Sequence, residues 1–167
     1  HNRCRRQRQM CIRDRVDDAR LDALAAAGMT RASIGIQDFA PEIQKTIGRE
    51  QSFEITKEVS EKLRARGIES LNTDILFGLP HQTLESISDT TKKLLSLSPD
   101  RVALYGYAHV PWMAKRQTMI PEAYLPASRE RLGLFEAARD LFLAAGYDAI
   151  GIDHFAKPSD GLAQSAR

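Results

Sequence analysis

The sequence has no run of eighteen apolar residues, which excludes a membrane-spanning helix on length alone. No apolar stretch follows its charged beginning, so no secretory signal pattern is legible. Cysteine is scarce. Cys4 and Cys11 are the only two in 167 residues, too few for a disulfide framework in a domain of this size, and a reducing, cytoplasmic setting is expected. Those two thiols stand seven apart and match no iron–sulfur spacing. His81, His109 and His154 are scattered, with no pair at zinc spacing. No glycine-rich phosphate loop is present, and no motif supports serine–histidine or cysteine–histidine catalysis. No metal ligand and no catalytic residue is therefore assigned from spacing.

Charge is unevenly distributed. Residues 1–15 hold six arginines against one acid, Asp14, and setting them aside leaves 18 basic against 21 acidic side chains. The body of the chain is mildly acidic, and its basicity is confined to a tail. An arginine-rich arm can bind phosphates, but this one has no interleaved aromatics and no nucleic-acid-binding motif behind it. Residues 1–15 are expected to be a disordered or foreign leader, and no nucleic-acid partner is expected.

Regular structure is expected from Asp17 onward. Asp17 or Asp18 caps a helix carrying Leu21 and Leu24 and ended by Gly28. Arg31–Gln37 alternates as a strand. A small helix follows, with Pro41 early and Gly48 closing it. Ser52 caps the next helix, with Ile55, Val59 and Leu63 at helical spacing until Gly67. Ser70–Phe77 is a second strand. Thr83 caps a helix with Leu84, Ile87, Thr91 and Leu94 on one side. Val102–Ala108 is a third strand, and 109–126 is rich in turn formers and reads as a functional loop. Ser128 opens the longest helix, with Leu134, Ala138, Leu141 and Ala145 on its stripe and Gly146 at its end. Ala149–Asp153 is a fourth strand.

Four strand–helix alternations imply a parallel sheet with crossover helices. Side-chain parity separates a barrel from an open sheet. Ile34 and Ile36 oppose Ser33, Gly35 and Gln37. Leu71, Thr73, Ile75 and Phe77 oppose Asn72, Asp74 and Leu76. Ile150 and Ile152 oppose Ala149, Gly151 and Asp153. An open sheet covered on both sides wants apolar residues on both faces. One greasy and one polar face fits a lumen lined for chemistry.

Gln37, Asp74 and Asp153 sit near the C-terminal ends of their strands, where parallel strands deliver side chains to a common mouth. Capping of the following turns explains each equally well when taken alone. Arg49, in a loop after Gly48, can grip a carboxylate through two parallel hydrogen bonds; a solvated surface arginine is the plainer alternative. Tyr105, Tyr107, His109 and Trp112 crowd the end of the third strand, either lining a pocket for a flat macrocycle or packing under the long loop.

Five strings then carry a resemblance: Gly35-Ile36-Gln37-Asp38-Phe39, Gly48-Arg49-Glu50-Gln51, Asn72-Thr73-Asp74-Ile75-Leu76-Phe77-Gly78-Leu79-Pro80, Tyr107-Ala108-His109-Val110-Pro111 and Gly151-Ile152-Asp153-His154-Phe155-Ala156. From about Val16 onward the chain resembles the oxygen-independent coproporphyrinogen III oxidases of the radical S-adenosylmethionine family. The resemblance implies an α/β fold, the second half of a partial parallel (β/α) barrel spanning 16–167. It implies S-adenosylmethionine and a 4Fe–4S cluster as cofactors, coproporphyrinogen III as substrate, an electron donor protein as partner and a monomeric enzyme. Two propionates of the substrate would be oxidatively decarboxylated to vinyl groups through a 5′-deoxyadenosyl radical, giving protoporphyrinogen IX in haem biosynthesis. By motif match, Gln37, Arg49, Asp74 and Ala108 resemble the family's S-adenosylmethionine contacts.

The family's Cys-x-x-x-Cys-x-x-Cys motif and its later Gly-Gly-Gly-Thr-Pro string have no counterpart in this sequence. The expectation is a piece of the enzyme without the cluster half and the C-terminal domain, inactive alone and poorly soluble because its first strand leaves an unpaired edge. A haem-binding chaperone on the same barrel is the alternative.

Overall fold

The computed structural model describes residues 17–166; the expected arginine-rich leader lies outside the described residues. In chain order the elements are α1 (Asp18–Ala26), β1 (Arg31–Gln37), α2 (Pro41–Thr46), α3 (Phe53–Ala65), β2 (Ser70–Phe77), α4 (Leu84–Ser96), β3 (Arg101–Gly106), two 3₁₀ turns (Lys115–Met119 and Glu122–Tyr124), α5 (Ser128–Ala144), β4 (Asp148–Ile150), β5 (His154–Ala156) and α6 (Gly161–Ser165).

The helix starts follow their capping chemistry. The Asp17 carboxylate accepts from the Arg20 amide at 2.8 Å, and the Ser52 hydroxyl from the Ile55 amide at 3.2 Å. Thr83 and Ser86 cap α4 reciprocally. Gly28, Gly67 and Gly146 end α1, α3 and α5 at positive φ.

The sheet order is β1-β2-β3-β5-β4. β1, β2 and β3 are parallel. Their greasy faces meet the helices in one core that includes Ile34, Ile36, Leu71, Ile75, Val102, Leu104, Ile87, Leu94, Leu134 and Phe142. The expected parity therefore holds in β1 and β2. A second cluster of Ile43, Leu79, Tyr107 and Ile120 joins α2, the turn after β2, the end of β3 and the long loop.

The fourth strand differs from expectation. The chain turns at Gly151 (φ 64°), and residues 154–156 return as β5, antiparallel to both β3 and β4. β5 takes the free edge of β3, with the Leu104 amide donating to the Asp153 carbonyl at 2.8 Å. Phe155 drives this arrangement: it is buried 4.9 Å from Phe142, centroid to centroid. Ile152, expected on the greasy face, is 89% exposed in the turn. The third strand stops at Gly106, two residues early.

Three helical stripes also shift. Ile55 and Leu84, both in first turns, are exposed. Thr56 takes the inner position in α3 because its hydroxyl donates to the Ser52 carbonyl and accepts from Gln51 Nε2. In α5, Leu134 and Ala138 are buried as expected, but Phe142 is the third buried residue, while Leu141 is half-buried and Ala145 exposed. Helix α6 had no expected counterpart. Asp160 caps it and also binds Arg101 at 2.6 Å.

Candidate functional site

The polar face of the sheet carries one continuous rank of residues. Gly35 pairs with Asp74, Asp74 with Ala103, and Ala103 with His154, across four strands. The Asp74 carboxylate accepts from Asn72 Nδ2 at 2.8 Å and from the Ser33 hydroxyl at 3.4 Å; Asn72 Nδ2 also donates to the Ser33 hydroxyl at 2.9 Å. No cation is paired with Asp74 among the described residues, so its charge remains open to a donor-bearing ligand. The Asn72 side-chain oxygen is buried without a partner.

Gln37 and Arg49 converge on Gly35. The Arg49 guanidinium donates to the Gly35 carbonyl at 2.8 Å. A Cβ built on Gly35 would lie 3.0 Å from Arg49 Nη2 and 3.2 Å from Gln37 Nε2. Glycine at 35 thus makes room for two polar side chains beside Asp74. Arg49 Nε is buried without a partner, a donor still to be satisfied.

Gln37 reaches this place through an irregular backbone. The β1–β2 register shifts between Gly35 and Gln37, and Gln37 has φ of 73°. The Asp38 amide donates to the Ile36 carbonyl at 3.1 Å, closing a tight three-residue turn around Gln37. That conformation is rare and strained for a non-glycine residue.

Ala108 is exposed beyond β3. Its carbonyl accepts from Gln117 Nε2 at 3.0 Å, and Gln117 Oε1 accepts from the Val110 amide at 2.6 Å. The Ala108 amide makes none of the backbone hydrogen bonds outside the strands and helices among the described residues. Sequence reading missed the Gln117 clamp because a glutamine in a turn-rich segment carries no distinguishing signal.

Asp153 lies in the turn before β5, and its carboxylate contacts His154 Nδ1 at 2.7 Å. His154 meets Tyr105 edge to face at 5.9 Å. Burial raises the Tyr105 phenol above its ordinary value, and the charges of Asp74 and Asp153 add to the shift. Asp74, Tyr105 and the Asp153–His154 pair therefore share one neighbourhood. The four aromatics of the third strand's end divide: Tyr107 is buried in the second core cluster with its hydroxyl 3.2 Å from His109, whereas Tyr105 and Trp112 are exposed.

Among the described residues no group of three histidine, cysteine or acidic side chains is placed to hold a metal ion. Cys4 and Cys11 lie outside the described residues.

A parallel sheet presenting such a face at its C-terminal mouth is the setting in which barrel enzymes seat their cofactors. The family model described as the Radical SAM superfamily matches residues 9–94, just over half of the sequence, and the chain belongs to that superfamily.

Individual relatives narrow the likeness. The chain is 68% identical over 152 residues to the oxygen-independent coproporphyrinogen III oxidase of Paracoccus denitrificans, covering 91% of this chain and 34% of that one. It is 42% identical over 142 residues to the Helicobacter pylori protein of the same name, covering 85% and 31%. Among solved structures it matches the coproporphyrinogen III oxidase of Escherichia coli, a radical SAM enzyme, with a TM-score of 0.87 and 38% identity, covering 90% of this chain and 35% of that one. The chain spans about a third of the length of the curated relatives it matches. The α/β fold is that of this enzyme, and the mixed sheet agrees with a partial barrel.

Proposed function

We propose that this chain supplies the S-adenosylmethionine-facing wall of an oxygen-independent coproporphyrinogen III oxidase. The observation that supports it is the convergence of Gln37, Arg49 and Asp74 around the Cβ-free space at Gly35. Arg49 offers a guanidinium to the cofactor's carboxylate. Asp74 accepts from hydroxyl or ammonium donors, and Gln37 offers both a donor and an acceptor. The Ala108 amide would donate to an adenine nitrogen. When bound and reduced by one electron, the cofactor would supply a 5′-deoxyadenosyl radical; removal of a propionate hydrogen atom, release of carbon dioxide and passage of one electron to an acceptor would together leave a vinyl group.

The 4Fe–4S cluster and the electron donor belong to this reading, but the described residues include no cysteine to hold the cluster. The setting proposed is cytoplasmic and the enzyme monomeric, without a nucleic-acid or membrane partner. Among the described residues no helix is long and apolar enough to cross a membrane.

Two experiments test the reading. In calorimetric titration of the chain with S-adenosylmethionine, Arg49→Ala and Asp74→Asn should each weaken binding at least about tenfold, the loss of one charge-assisted contact. Exchange of residues 17–166 into the Paracoccus denitrificans oxidase should leave anaerobic conversion of coproporphyrinogen III to protoporphyrinogen IX intact. An inactive, folded chimera that binds haem stoichiometrically would instead favour the chaperone.

A further inference from the structure

Asp38 is 0% exposed and has no cationic partner among the described residues. A buried carboxylate without a cation is costly unless hydrogen bonds compensate it. Here they do. Oδ1 accepts from the Ala40 amide at 2.7 Å and from the Thr90 hydroxyl at 2.9 Å, and Oδ2 accepts from Gln82 Nε2 at 2.7 Å. The Thr90 oxygen in turn accepts from the Phe39 amide at 3.2 Å.

These bonds reach the segments that carry Gln37, Arg49 and Asp74. Gln82 also donates to the Leu76 carbonyl at 3.0 Å and accepts from the Gly78 amide at 2.7 Å, which fixes the end of β2 beyond Asp74. The Asp38 carbonyl accepts from Gln44 Nε2 at 2.8 Å. Gln44 binds the backbone of Gln51 on both sides, and its own carbonyl accepts from the Arg49 amide at 2.9 Å. The Asp38 amide closes the strained turn at Gln37. One residue thus ties together the loops bearing Gln37 and Arg49 and the strand bearing Asp74.

Strain of this kind persists only where surrounding contacts over-determine the backbone. A simple core function would be served as well by an apolar residue, without the cost of burying a charge. We propose that Asp38 is a positioning residue of the cofactor site: its carboxylate, shared by Ala40, Thr90 and Gln82, holds Gln37 in its left-handed turn and keeps the ends of β1 and β2 in register. The inference rests on the reading of Gln37 and Arg49 as cofactor contacts.

The test compares Asp38→Asn with Asp100→Asn in the full chain. Asp100 is a partly buried, hydrogen-bonded carboxylate at the opposite end of the sheet, bound by Arg64 and the Leu71 amide. Two readouts are taken well below both melting temperatures. S-adenosylmethionine affinity should fall about tenfold in Asp38→Asn and stay unchanged in Asp100→Asn. The three-bond coupling and backbone shifts of Gln37, which report φ, should leave their wild-type values only in Asp38→Asn. If Asp38→Asn does not fold, Thr90→Val removes one of the three bonds and should move both readouts in the same direction. A Gln37 backbone that stays in its left-handed turn in the folded variant overturns the inference, as does an affinity loss no larger than that of Asp100→Asn. A wild-type chain that fails to bind S-adenosylmethionine overturns the proposed function, and the positioning role is then judged on the Gln37 backbone alone.

Discussion

Arg49 fills the space that a side chain on Gly35 would occupy, with its guanidinium 3.0 Å from the missing Cβ and hydrogen-bonded to the Gly35 carbonyl. Gly35 is not at positive φ, so alanine fits the backbone there and only the side chains of Arg49 and Gln37 must give. Gly35→Ala should displace Arg49 and lower S-adenosylmethionine affinity about tenfold, while changing stability by less than about 1 kcal/mol. Titration calorimetry beside a thermal melt separates the two effects.

The opposite end of the sheet carries an acid-sensitive contact. Burial pushes the Asp100 carboxyl up, but the Leu71 amide, the Arg64 guanidinium and Lys157 outweigh it and hold the group below its usual range. A carboxyl lowered in the folded state contributes stability that is present above its unfolded value and lost as pH falls through the folded one. Asp100→Asn should cost about 1–3 kcal/mol at neutral pH and should flatten the fall in stability below pH 4, read from urea unfolding across pH.

Tyr147 contributes to the alkaline limb. Its hydroxyl donates to the Pro99 carbonyl at 2.6 Å, and burial, with Asp100 adding to it, pushes the phenol up to about 12. The folded state keeps this proton after the unfolded chain has lost it, so the contribution is complete below pH 10 and disappears as pH rises towards 12. The whole difference amounts to about 2–3 kcal/mol. Tyr147→Phe should lose about 1 kcal/mol at neutral pH and remove this component of the alkaline fall.

Gln117 clamps Ala108 and Val110 through one side chain. Gln117→Ala should free that backbone without unfolding the domain. Hydrogen exchange at the Val110 amide should accelerate about tenfold, matching the loss of one hydrogen bond, while amides in β2 keep their rates.

Much of the fold was legible because period-2 alternation and capping residues are local signals. Strands 31–37 and 70–77 matched their expected limits, and Ser52 and Thr83 cap as expected. The fourth strand was misread because alternation at Ile150 and Ile152 says nothing about direction. The turn at Gly151 and the pull of Phe155 towards Phe142 are long-range effects. The polar face carrying Asp74 was readable from parity, and the radical SAM kinship from unbroken strings, but the register shift that pairs Gln37 with Ile75 rather than Asp74 was not. Nor was Asp38, because its partners Gln82 and Thr90 lie 44 and 52 residues away and nothing local distinguishes a buried aspartate from a capping one.

Reversal of the last strand alters which backbone can reach the mouth. In β1 to β3 the residues that follow a strand arrive there, but β5 runs the other way and delivers the residues before it. Ile152 therefore stands in open solvent beside the same rim as Asp74 and Tyr105. A spin label or fluorophore attached through Ile152→Cys would stand as a reporter beside that rim, and its signal should change on addition of S-adenosylmethionine if the proposed site is the one that binds it.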